Sequence, residues 1–93
     1  MLDRRFAGAS LDAVEQGWAL AAGARERMFQ RVMRRRQTVP DAYHEEMLAS
    51  REAWQRAGLD ERTRQVAWEL ARDSTLYVAA RVRAARTRKR GLW

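Results

Sequence analysis

The chain contains no cysteine and only one proline, one histidine and one lysine, and each scarcity removes a class of explanation. Without cysteine there is neither a disulfide framework nor a thiolate metal site. The single histidine sits in His44-Glu45-Glu46, which lacks the second histidine of a zinc-protease helix, so no metal and no cofactor is expected. No phosphate-binding glycine loop occurs, and Ser10, Ser50 and Ser74 have no base or oxyanion-hole motif nearby. Adjacent carboxylates such as Glu45-Glu46 and Asp60-Glu61 stand at helix starts, where capping and dipole effects account for them without acid-base chemistry. The expectation is a protein that binds and does not catalyse. Long hydrophobic runs are also missing. The longest, residues 18–24, ends at Arg25, far short of the ~18–20 apolar residues that cross a bilayer. No signal-peptide pattern opens the chain, so cytoplasmic residence is expected.

What the sequence does have is arginine and alanine. Nineteen basic and twelve acidic residues give a net charge of +7, and of the nineteen only Lys89 is lysine. Arginine suits bidentate contacts to phosphate and carboxylate, although a GC-rich genome produces the same skew, so placement says more than the total. Residues 1–24 carry −1, residues 25–37 carry +5, residues 38–80 carry −3 and residues 81–93 carry +6. Two basic blocks therefore flank an acidic middle.

At 93 residues the chain is read as a single helical domain, with 1–9 and 89–93 as flexible or partner-bound ends. The punctuation at Pro40 and Gly58 divides it into segments rich in good helix formers. Ser10 can cap a first helix over about 11–37, with Leu11, Val14, Trp18, Ala21, Met28 and Val32 at 3-4 spacing. Pro40 suits the opening turn of a second helix over 40–57, lined by Tyr43, Met47 and Trp54. Gly58 in a left-handed conformation predicts a Schellman ending, with Leu59 folding back onto Trp54 and Asp60 capping the next helix. The third segment, with Trp68, Ala71, Val78 and Val82 at helical spacing, reads as one helix over 61–88. Asp73-Ser74-Thr75 is its weak point, because these side chains compete for backbone groups, and a fourth helix starting there is the alternative.

The fold class that follows is all-α, a small antiparallel three-helix bundle. Because the middle helix is short, the ends of its neighbours are expected to overhang, exposing Leu11, Val14 and Trp18 at one end and Val78 and Val82 at the other. Each such group left in water forfeits about 1.5–3 kcal/mol, so these five, with Leu92 and Trp93 at the chain end, form the expected partner interface of an oligomer or larger complex. The same topology brings both basic blocks to one pole.

The run from Arg81 to Arg90 has six cations and no acid, which suits a nucleic-acid backbone, where such contacts release counterions. Arg34, Arg35, Arg36, Arg81, Arg83, Arg86, Arg88, Lys89 and Arg90 are the expected phosphate contacts; a solvated helix end is the plain alternative. A helix-turn-helix fails, since Trp54 and Arg64 occupy positions that need a small and a buried residue. Trp18, Trp54 and Trp68 fall on apolar stripes as core or interface residues, not as base-stacking platforms. The leading expectation is an accessory subunit of a nucleoprotein assembly, contacting DNA or RNA without sequence preference. Its rival is a protein-protein adaptor or regulator, of phage or mobile-element type, binding an acidic or apolar protein surface. A peripheral membrane protein anchored by the basic tail with Leu92 and Trp93 comes third.

Overall fold

A computed structural model describes residues 10–89, with the backbone alone for Lys89. Four α-helices, α1 (Leu11–Arg35), α2 (Val39–Arg56), α3 (Glu61–Asp73) and α4 (Thr75–Lys89), account for nearly all of it, and the described residues contain no strand.

Local chemistry sets the helix ends. The side chains of Ser10, Thr38 and Asp60 accept hydrogen bonds from the backbone N–H groups of Ala13 (3.1 Å), Asp41 (3.2 Å) and Thr63 (2.8 Å), which satisfies a donor that each first turn leaves open. At the end of α2, Gly58 takes φ 72° and its N–H reaches the Gln55 carbonyl at 3.1 Å, while the Leu59 N–H reaches that of Trp54 at 3.3 Å. This is the Schellman pattern read from the glycine, and Asp60 starts α3 two residues later.

Packing is organised around α1 in three layers. Val14 meets Val66 in the lowest. Ala21 and Ala24 meet Met47 and Ala71 in the middle. Met28 and Val32 meet Ala42, Val78 and Val82 at the top. Hence α2 runs antiparallel to α1, and α3 followed by α4 runs parallel to it in steady register. The α1–α3 contact is the most extensive in the molecule, and it is made by small residues, with Ala24, Ala67 and Ala71 fully buried. Both α2 and α3 lean on α1 more than on each other, which leaves a flattened body of 47 × 31 × 16 Å.

Two expectations need correcting. The continuous helix over 61–88 is broken at Ser74, whose hydroxyl donates to the Leu70 carbonyl at 2.8 Å while its own N–H divides between the Leu70 and Ala71 carbonyls. The Thr75 hydroxyl donates in the same way to the Arg72 carbonyl at 3.0 Å, so both side chains compete for the helix's own acceptors where α3 ends and α4 begins. The overhangs are largely closed as well. The Gly58 turn starts α3 low enough for Val66 to lie level with Val14, and α4 packs Val78 and Val82 against Met28 and Val32 on the upper part of α1. Val14, Val78 and Val82 are therefore buried in the core and are not available to a partner. Leu11 and Trp18 are exposed, at 66% and 64%.

The α1–α3 contact predicts opposite outcomes for two glycines of one helix. A Cβ at Gly17 would lie 2.4 Å from Val66 Cγ1 and 3.1 Å from the Ala67 backbone nitrogen, whereas at Gly23 it would meet only the end of the Arg27 side chain, at 3.1 Å. Thermal or urea unfolding should show Gly17→Ala destabilised by about 1–2 kcal/mol, the overpacking cost outweighing the gain in helix propensity. Gly23→Ala should be stabilised by about 0.5–1 kcal/mol.

Candidate polyanion interface

Because Val32 packs beside Val82, the end of α1 and the second half of α4 lie at the same height, next to the N-terminus of α2. The described parts of both basic blocks thus reach one pole, but their arginines have different occupations there.

On α1, Arg27 and Arg31 are committed to α2. Glu46 is 1% exposed, and its carboxylate accepts from Arg27 Nε, from Arg31 Nε at 3.2 Å and from the Ser50 hydroxyl at 3.1 Å. Arg31 also reaches Glu45 at 3.1 Å, and Arg35 lies at 3.9 Å from the same carboxylate. A buried carboxylate needs such donors, since desolvation disfavours an unpaired charge strongly. Arg34, Arg35 and Arg36 are exposed, and Arg34 and Arg36 form no ion pair among the described residues. Arg36 ends α1 in the left-handed region, φ 55°, where glycine is the usual occupant and another residue is strained by about 1–2 kcal/mol.

On α4, Arg81 points inward. It pairs with Glu26 of α1 and its guanidinium lies 3.9 Å from the centre of the Phe29 ring. Its hydrogen bond, assisted by that of Gln30, holds the Glu26 carboxyl below the ordinary carboxylate range. Arg81, expected as a phosphate contact, is instead a strut between α1 and α4. Arg83, Arg86 and Arg88 are exposed and form no ion pair among the described residues. Arg83, Arg86 and Thr87 line a shallow cleft of about 280 Å³ with Val39 of α2, and Arg83, Thr87 and Arg88 border a second, with Ala80 and Ala84, of about 400 Å³. The Lys89 side chain, Arg90, Leu92 and Trp93 fall outside the described residues.

The result is a pole of outward cations, Arg34–Arg36 and Arg83, Arg86 and Arg88, interleaved with small side chains and shallow clefts. Such a surface can hold an extended polyanion by charge. The sequence did not single out the Arg27–Glu46–Arg31 cluster. Its signal was the i,i+4 spacing of the two arginines opposite adjacent glutamates. No helix of the described residues is long and apolar enough to cross a membrane. No protein-family model, curated protein or solved structure matches the chain.

The Glu26–Arg81 pair makes a prediction about pH. A carboxyl held low in the folded state stabilises it fully above the unfolded carboxylate range, and that contribution disappears as pH falls through the lower folded value. Glu26→Gln should therefore lower the melting temperature by a few degrees at most at neutral pH, the pair being half exposed, and the gap to the parent protein should close on acidification.

Proposed function

We propose that this domain is a non-catalytic accessory component of a nucleoprotein assembly that grips the phosphate backbone of nucleic acid, without sequence preference, through its cationic pole. The observation that carries this reading is the convergence of Arg34, Arg36, Arg83, Arg86 and Arg88, drawn from two separate elements and all exposed without a carboxylate partner among the described residues. Away from the pole some cations are occupied, Arg56 by Glu52 at 3.3 Å and Arg27 and Arg31 by Glu46. Arg51, Arg62 and Arg72 are exposed and form no ion pair among the described residues, but these are scattered over α2 and α3. An arginine kept at a left-handed position that favours glycine adds support, because local strain tends to collect at functional positions.

A second reading, a helical protein-protein adaptor, is favoured by the large apolar side chains left outside the core, Leu11, Trp18, Leu48, Leu76 and Tyr77. The two readings are compatible, since these side chains are largely distinct from the cationic pole.

Fluorescence anisotropy with short DNA and RNA duplexes tests the first reading. Affinity should be independent of base sequence and fall steeply with salt. Replacing Arg83, Arg86 and Arg88 together with alanine should reduce the log K against log salt slope by about 2–3, at ~0.9 per lost phosphate contact on DNA. Arg56→Ala should leave it unchanged. Absence of binding at low salt, or an equal effect of Arg56→Ala, contradicts the reading.

A further inference from the structure

The α2–α3 side of the domain carries a cleft that the cationic pole does not use. These two helices are joined by the Gly58 turn, yet they touch each other over little of their length, because both lean on α1. Between them lies a space of about 370 Å³, within the size range of small-ligand sites. Arg51 and Trp54 line it from α2, and Glu61, Arg64 and Trp68 from α3. Its chemistry is one-sided. Arg51 is exposed and Arg64 half-buried, and neither forms an ion pair among the described residues. The Asp60 carboxylate, which feels the charge of Arg64, is bonded to the Thr63 N–H at the start of α3 and does not line the cleft. Trp54 is 5% exposed and Trp68 half-buried. Neither indole N–H has an acceptor among the described residues, and neither is sealed from solvent. A polar group in a buried side chain is normally paired, so unpaired indole donors beside two unpaired guanidiniums mark a place for an acceptor from outside.

We infer that this cleft binds a small planar carboxylate, its anionic group held by Arg51 and Arg64 and its ring system set against Trp54 and Trp68. The two guanidiniums come from different helices, and each presents the paired N–H groups that match the two oxygens of a carboxylate. Gln55 and Gln65 complete the lining with neutral carboxamides, so Glu61 is its one acid among the described residues. Two cations against one acid leave a single positive charge, which a monoanion neutralises and a phosphate dianion exceeds.

The indoles favour a flat apolar body, packed offset or edge-on, over a chain of hydroxyl groups. The space suits two fused rings on a short carboxylate arm. None of the lining residues belongs to the pole of Arg34–Arg36, Arg83, Arg86 and Arg88, so binding here is independent of the polyanion reading.

NMR titration of the isotopically labelled full chain with 1-naphthaleneacetate tests this, with its uncharged amide and 1-naphthyl phosphate as comparisons. The carboxylate should move the indole N–H signals of Trp54 and Trp68 and leave that of Trp18, with a dissociation constant below about 1 mM. The amide should bind the parent protein about tenfold more weakly or worse, and Arg51→Ala and Arg64→Ala should each weaken the carboxylate by a similar factor. Glu61→Gln, which removes a like charge, should tighten it about two- to threefold. Arg62→Ala removes an exposed cation outside the cleft and should bind as the parent does. Should Arg64→Ala fail to fold, Arg51→Ala and Glu61→Gln decide, both being at exposed positions. Indole signals of Trp54 and Trp68 that stay still at millimolar carboxylate overturn the inference. So does equal affinity for the amide, tighter binding of the phosphate, or an equal loss in Arg62→Ala.

Discussion

The close approach of α1 and α3 is the constraint on which the rest of this structure depends. Gly17, Ala21 and Ala24 on one helix and Ala67 and Ala71 on the other leave no room for a larger side chain at the centre of the contact. Helices packed on such small residues gain dispersion energy from backbone proximity, but they bury little apolar area per residue. Two consequences follow. The chain must continue to pack along α1 to accumulate enough burial, which is what α4 does with Val78 and Val82 in the upper layer. And beside the buried Met28, Met47 and Trp54, several large apolar groups, Leu11, Trp18, Leu76 and Tyr77, lie on the surface.

Beyond the break at Ser74, α4 continues the packing along α1. Arg81 of α4 stacks on Phe29 of α1, Arg25 of α1 stacks on Tyr77 of α4, and the Arg81–Glu26 pair joins the two helices. Val32 and Val82 pack together, so arginines nearly fifty residues apart in sequence lie at the same end of the domain. The Glu46 cluster does the complementary work on the other side of α1. It occupies Arg27 and Arg31 at the α1–α2 contact, so that on α1 the cations without an ion pair among the described residues at this pole are Arg34 and Arg36, past the last packed turn.

Much of this was legible in the sequence because it depends on short-range chemistry. Gly58 with Asp60 specified a turn whose hydrogen bonds are those expected of it, and the helical periodicity gave the ends of α1 and α2 to within two residues. The α3–α4 break was visible only as a competition between a helical pattern and the hydroxyls of Ser74 and Thr75. Its outcome was set by the hydroxyls of Ser74 and Thr75, which bond back to the Leu70 and Arg72 carbonyls, while Val78 and Val82 keep the helical stripe buried beyond the break. The overhang of Val14, Val78 and Val82 was mistaken because helix lengths do not reveal how far a turn descends. Periodicity could not distinguish Arg81 from its neighbours either, since its inward position is set by Glu26 and Phe29 on another helix.

The central claim is spatial: one end of the domain, built from the last turns of α1 and α4, meets the phosphate backbone. Backbone amide shifts of the isotopically labelled protein, followed by NMR as a short DNA duplex is added, test it most directly. The account predicts changes concentrated at 34–39 and 79–89, the same for unrelated duplex sequences, with the Gly58 turn and the start of α3 silent. Changes centred on 51–65, or none at low salt, would contradict it.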